Sequence, residues 1–156
     1  MIKNLLQNYI KDYKITLTEN QYEQFQKYFE LLAEWNEKMN LTAITDESGV
    51  ALKHFADSLS LLNFVDIPQN STLADVGTGA GFPGVVLKIA RPDIKLTLID
   101  SLNKRLVFLG EVCAQLGIEA ELIHSRAEDG ARDEKLRESF DFVASRAVAR
   151  MNVLSE

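Results

Sequence analysis

The stretch Leu73-Ala74-Asp75-Val76-Gly77-Thr78-Gly79-Ala80-Gly81-Phe82-Pro83-Gly84 decides the fold of this chain. Residues 71–76 form a short β-type run that feeds straight into glycines. Residues 84–90 then read as a helix that stops before Pro92. Glycine lets such a turn take φ > 0 and lets a ligand lie close to the backbone. The start of the helix adds N–H donors that have no partner within it. A second strand run, 94–99, leads into Asp100, where a carboxylate is placed to accept hydrogen bonds from a ribose diol.

Two nucleotide chemistries share this layout. Gly79-Ala80-Gly81-Phe82-Pro83-Gly84 satisfies G-x-G-x-x-G with an acid about 20 residues further on, the pattern of a nicotinamide dinucleotide site. The other parse, Asp75-x-Gly77-x-Gly79-x-Gly81, is that of class I S-adenosylmethionine methyltransferases. Three features favour the second. Asp75 would repel a pyrophosphate but suits a ligand's ammonium group. The turn begins at Gly77, so Gly79 opens it late for a dinucleotide. Pro83 has no N–H to offer a phosphate. A ligand-free glycine turn is the third reading.

Outward from the loop, strands and helices alternate. Leu102, Leu106, Leu109, Cys113 and Leu116 mark an amphipathic helix with Gly117 as its C′ residue. Residues 119–124 and 140–144 read as strands three and four, and 147–156 as the start of a further helix. This order implies a parallel sheet with helices on its faces. Residues 1–70 are instead helical throughout. Thr18 and Gln21 make a capping-box pattern before a stripe of Tyr22, Phe25, Phe29, Leu32, Trp35 and Met39. Asn40 ends that helix. Asp46 caps a third helix, with Leu52, Phe55, Leu59 and Leu62 as its buried stripe. The expected organisation is a helical extension, 1–70, followed by an α/β domain, 71–156.

Composition bounds the rest. Of 156 residues, 46% are apolar and 26% charged, the usual balance of a globular domain. No run approaches the roughly 18 apolar residues of a membrane span, and the first residues lack a signal-peptide core. A single cysteine, Cys113, excludes a disulfide framework and multi-cysteine metal sites, and its place on an apolar helix face reads as packing. The expectation is a cytoplasmic protein. Net charge is −6, and neither residues 1–70 (6 basic, 10 acidic) nor 71–156 (11 basic, 13 acidic) forms a basic arm. Any nucleic-acid contact must come from a local patch.

The flanks of the glycine loop carry a closer likeness. Trp35-Asn36 through Met39-Asn40-Leu41-Thr42, Lys53-His54-Phe55-Ala56-Asp57-Ser58-Leu59, the loop itself, Arg126-Ala127-Glu128 and Ser145-Arg146-Ala147-Val148-Ala149 stand in register along residues 20–156. Together they resemble the motifs of the RsmG (GidB) family, which methylates N7 of one guanosine in the decoding-region loop of 16S ribosomal RNA. The resemblance implies a class I (Rossmann-like) methyltransferase fold with strands ordered 3-2-1-4, and S-adenosylmethionine as cofactor. It assigns Gly77, Gly79, Gly81 and Phe82 to the cofactor loop, Ala127 and Glu128 to the adenine, and Arg146 to the substrate-facing end of the cofactor site. Asp100 holds the ribose-carboxylate position of the wider superfamily.

Guanine N7 is a neutral acceptor with no proton to lose. Its attack on an activated methyl needs in-line positioning rather than a general base, so no catalytic acid–base pair and no metal are expected. Strand four also lacks the nucleophilic cysteine of cytosine C5 chemistry and the N-P-P-Y motif of amine methylation. Lys53, His54, Lys104, Arg105, Arg146 and Arg150 are the candidate RNA contacts around the cofactor mouth. The expected partner is 16S RNA or the small ribosomal subunit, with the protein a monomer. The runners-up are a methyltransferase of a small molecule or protein, and a cofactor-binding fragment without turnover. The family's sheet has seven strands and this reading finds four. The sequence therefore reads as part of a longer protein with C-terminal strands missing and strand four as a bare edge.

Overall fold

The computed structural model describes residues 1–126, 139–147 and 150–155, with side chains as far as residue 145. The elements in chain order are α1 (Ile2–Tyr9), α2 (Glu19–Met39), α3 (Glu47–Gly49), a π-helix (Val50–Ala56), α4 (Asp57–Leu59), α5 (Leu61–Phe64), β1 (Thr72–Val76), α6 (Gly84–Ala90), β2 (Lys95–Asp100), α7 (Asn103–Leu116), β3 (Ala120–His124), β4 (Phe142–Ala147) and β5 (Arg150–Ser155).

The sheet order is β3-β2-β1-β4-β5. The first four strands are parallel, in the expected 3-2-1-4 order. β1, flanked on both sides, is the central strand, and its middle residues Leu73, Ala74 and Asp75 are all buried. Pairing on both edges and coverage by helices bury the strand on both faces, which suits Leu73 and Ala74 and leaves Asp75 as a buried carboxylate.

One sequence expectation is corrected here. Residues 150–155 are not helical: they form β5, antiparallel to β4, with Ala147 opposite Arg150 and Phe142 opposite Ser155. Alanine, arginine and methionine favour helix only by a few tenths of a kcal/mol each. That preference yields to hydrogen bonding with an adjacent strand only two residues away in sequence. β4 is therefore paired on both sides, and is not the bare edge expected of it.

The helical extension begins as the sequence reads. Thr18 Oγ1 accepts from Gln21 N–H at 3.2 Å while Gln21 Oε1 accepts from Thr18 N–H at 2.7 Å, completing the capping box. Asn40 ends α2 in the left-handed region at φ 50°. α2 lies across α6 and α7. Gln21 Nε2 donates to the Ile89 carbonyl at 2.8 Å, and Gln24 Nε2 to the Leu116 carbonyl at 2.9 Å. Both acceptors lie at helix ends, where carbonyls lack intrahelical partners. Phe25, Tyr28, Phe55, Phe108, Leu73 and Leu87 are all fully buried in one core that joins extension and sheet domain. Trp35 packs against Phe108 with ring centroids 5.6 Å apart.

The third helix departs from expectation. Asp46 caps it, accepting from Gly49 N–H at 2.8 Å. It then winds as a π-helix over Val50–Ala56. The wider i→i+5 winding shifts the buried face. Leu52, expected in the buried stripe, is 45% exposed; Phe55 and Leu59 are buried as expected, joined by Val50, Ala51, His54 and Ala56. Leu102 likewise stands outside its stripe as the exposed N-cap of α7.

Candidate functional site

The glycine loop leaves the carboxyl end of β1 and is held from three directions. From the sheet, Gly77 and Thr78 N–H both donate to the Ile99 carbonyl, at 2.8 and 3.1 Å. From the end of β2, Asp100 Oδ2 accepts from Gly79 N–H at 2.8 Å and Oδ1 from Leu102 N–H at 2.9 Å. From the extension, the Tyr28 hydroxyl donates to the Ala80 carbonyl at 2.5 Å.

Asp75 closes the loop from below. The sequence argument placed it near a ligand's ammonium group. In the structure it is fully buried, and Oδ2 accepts from the Thr78 hydroxyl at 2.7 Å and from Gly84 N–H at 2.8 Å. Its carboxylate thus joins the first turn of α6 to the loop.

The loop glycines divide by what lies beyond them. Gly81 sits at φ +102°, and an added Cβ would stand 2.5 Å from the Tyr28 hydroxyl oxygen and 2.8 Å from Val85 Cγ2. Only glycine fits there. At Gly77 and Gly79, also at positive φ, an added Cβ would meet nothing within 4 Å. These two open onto a cavity of about 170 Å³ lined by the loop, Phe82, Leu41, Thr42 and His54. A larger groove of about 890 Å³ lies by the amino ends of β1, β2 and β3, lined by Thr72, Lys95, Thr97, Ala120, Glu121 and Phe140. Ligands of open α/β sheets bind beyond the carboxyl ends of strands, which favours the smaller cavity.

The far wall of that cavity belongs to the extension. His54, 5% exposed, lies flat against Phe82 with ring centroids 4.3 Å apart and planes 9° off parallel. Phe82 stacks in turn on Tyr28 at 5.6 Å. His54 Nε2 and Thr42 Oγ1 are hydrogen-bonded at 2.8 Å.

A family model described as "GidB: rRNA small subunit methyltransferase G" matches residues 21–156. The chain belongs to this family. Among its GidB relatives, the ribosomal RNA small subunit methyltransferase G of Desulforamulus reducens is 54% identical over 147 residues, covering 94% of this chain and 61% of that protein. The protein of the same name from Geobacillus sp. (strain WCH70) is 54% identical over 143 residues, covering 91% and 60%. The chain therefore spans about 60% of the length of these curated relatives. Among solved structures, a protein-L-isoaspartate O-methyltransferase aligns with TM-score 0.61 at 13% identity, over 93% of this chain and 47% of that one. A Plasmodium falciparum structure, described as a putative methyltransferase of the same type in complex with S-adenosyl-L-homocysteine, aligns with TM-score 0.55 at 16% identity, over 97% and 87%. At such identities these two show the shared class I methyltransferase fold.

Set in this GidB fold, the residues singled out in sequence separate by location. Gly77, Gly79 and Phe82 line the cavity, and Gly81 lies under it. Asp100 stands at the end of β2 as expected, but it is 1% exposed and braces the loop. A carboxylate has about four acceptor sites, so bracing does not exhaust it. His54 reaches the cavity wall, while the adjacent Lys53 is exposed. Lys104 is exposed on α7, and Arg105 Nη1 sits 3.4 Å from Asp100 Oδ1. Arg146 and Arg150 fall on β4 and β5, opposite Met151 and Ala147, and their side chains lie outside the described set. Ala127 and Glu128 lie outside the described residues. Cys113 is buried, and burial pushes its thiol up from its ordinary value, consistent with packing. Among the described residues no cluster of His, Cys, Asp or Glu suits a metal ion, and no helix is long and apolar enough to cross a membrane. Tyr28 was missed in sequence. It lies three residues after Phe25 on the buried face of α2, where it looks like any core aromatic, and nothing local reveals that its hydroxyl reaches Ala80.

Proposed function

We propose that this protein is an S-adenosylmethionine-dependent methyltransferase that modifies guanine N7 in 16S ribosomal RNA. The supporting observation is family membership over residues 21–156, with the family's glycine loop forming the cavity floor at the carboxyl end of the sheet. The open space beyond Gly77 and Gly79 fits a ligand laid directly against the backbone.

When bound, S-adenosylmethionine supplies a methyl group already activated on a sulfonium. The chain's part is to hold and exclude. Gly77, Gly79 and Phe82 offer a shelf free of side-chain obstruction on its glycine side. Asp100 stands where a ribose would meet the end of β2. Ala127, Glu128 and Arg146 complete the cofactor site in this reading. Guanine N7 has no proton to remove, so in this reading the barrier falls mainly through alignment.

RNA contact is assigned to Lys53, Lys104, Arg105, Arg146 and Arg150, a small cationic set on a molecule of net charge −6, while His54, 5% exposed and stacked on Phe82, serves the cavity wall instead. The substrate is the free RNA or the small subunit, met in the cytoplasm by a monomeric protein. The test is methyl transfer. The protein at its full encoded length is incubated with labelled S-adenosylmethionine and small subunits lacking the modification, and the label is mapped by cleavage at N7-methylguanosine. Label at one guanine supports the proposal; label at another atom or in another macromolecule overturns it.

A further inference from the structure

The wall opposite the glycine loop is built with more care than a packing contact requires. Asn36, on the last turn of α2, takes both backbone groups of Thr42: Nδ2 donates to its carbonyl at 3.0 Å, and Oδ1 accepts from its N–H at 2.8 Å. The residue so clamped presents its hydroxyl to two partners, accepting from Ile44 N–H at 3.1 Å and pairing with His54 Nε2 at 2.8 Å. His54 in turn lies 4.3 Å from Phe82, face to face, and Phe82 follows directly on Gly81 of the loop. A chain of specific contacts thus runs from α2 through Asn36, Thr42, His54 and Phe82 to the glycines.

A second observation is the winding that carries His54. π-helical turns are rare and collect at functional sites. Here the π-turn carries His54, Phe55 and Ala56, all three buried, and His54 is the residue that reaches both Thr42 and Phe82. Thr42 and His54 also line the cavity itself. Resting on the cofactor reading above, we infer that Thr42 and His54 are positioning residues for the cofactor pocket. They act through Phe82 to hold the glycine loop in its binding shape before the ligand arrives. Preorganisation of this kind raises affinity by removing the ordering that binding would otherwise require.

The experiment is titration calorimetry with S-adenosylhomocysteine on the protein at its full encoded length, paired with thermal unfolding. The variants are Thr42→Val, which keeps shape and deletes the hydroxyl, Thr42→Ser, which restores it, and His54→Ala. Thr42→Val is expected to weaken binding about tenfold, the scale of one lost hydrogen bond, and to lower the melting temperature by a few degrees, since Ile44 N–H and His54 Nε2 lose their partner in the free protein as well. Thr42→Ser is expected to recover most of that loss, and His54→Ala to bind at least as weakly as Thr42→Val. If His54→Ala fails to fold, the threonine pair decides alone. Wild-type affinity in Thr42→Val, or a loss that Thr42→Ser does not recover, overturns the inference. So does an equal loss of binding in Thr18→Ala, destabilised by about as much at the far end of α2, which marks a merely structural effect. A wild-type protein that binds no S-adenosylhomocysteine overturns the cofactor reading and this inference with it.

Discussion

Gly81 is the residue on which the loop's geometry turns. Its φ of +102° and the 2.5 Å approach of the Tyr28 hydroxyl to an added Cβ leave no room for a side chain. Gly81→Ala is expected to cost about 2–3 kcal/mol, combining strained backbone with a displaced Tyr28. It is also expected to abolish S-adenosylhomocysteine binding in the fraction that folds, as read by urea unfolding and calorimetry. At this scale the sequence was legible where chemistry is local. Spacing alone placed the loop glycines, Phe82 and Asp100 at the strand ends. It misjudged Asp75, because which way a buried carboxylate points depends on Thr78 and Gly84 folding back over it. Tyr28 was beyond reach as a site residue for the same reason, and Thr42 stood in a family motif without a role, because their partners lie 52 and 12 residues away.

Among the elements, α2 depends on its start and α6 on its exit. Thr18→Ala removes the acceptor for Gln21 N–H and is expected to destabilise by about 1 kcal/mol, measured by urea unfolding. After α6, Arg91 Nη2 and Asp93 Oδ2 pair at 2.8 Å, and Arg91 Nη1 also donates to the Ile67 carbonyl at 3.0 Å, tying the extension's exit to the turn before β2. The Arg91 guanidinium, helped by Asn70 N–H, holds the Asp93 carboxyl well below the usual carboxylate range. The unfolded chain then takes up a proton before the folded one does. The pair's stabilisation is therefore complete above about pH 4 and is lost as pH falls toward the folded value. Arg91→Met is expected to cost about 1–2 kcal/mol at pH 7, with the gap to wild type narrowing below about pH 4.

Element type was readable wherever periodicity was long, as in α2, or strands were bounded by glycine and proline, as in β1. It failed at two places with one physical cause. The π-winding of Val50–Ala56 and the strand Arg150–Ser155 both follow from tertiary neighbours. His54 docks on Phe82 from the π-turn, and β5 pairs with β4, the second overriding a helix preference worth tenths of a kcal/mol per residue.

On the scale of the whole molecule, charge and architecture pull in different directions. A net charge of −6 repels RNA at long range, so the RNA binding proposed above would rest on the few candidate cations alone. Affinity for a 16S RNA fragment is expected to fall with rising salt along a shallow line, with a slope of about two to four released counterions. A flat response would remove the phosphate contacts from the account. The alternation of strand and helix after residue 71 made the fold class legible. The joint core of extension and sheet was not, because it arises where Tyr28 and Phe55, the latter packed on Phe25, meet Phe82, residues far apart in sequence.

The central claim is that the glycine loop serves a sulfonium cofactor although it also spells a dinucleotide motif. Calorimetry of the protein with S-adenosylhomocysteine and, separately, with NAD tests this most directly. The expected result is saturable binding of S-adenosylhomocysteine at one site per chain and no heat from NAD; binding of NAD with none of S-adenosylhomocysteine would contradict it.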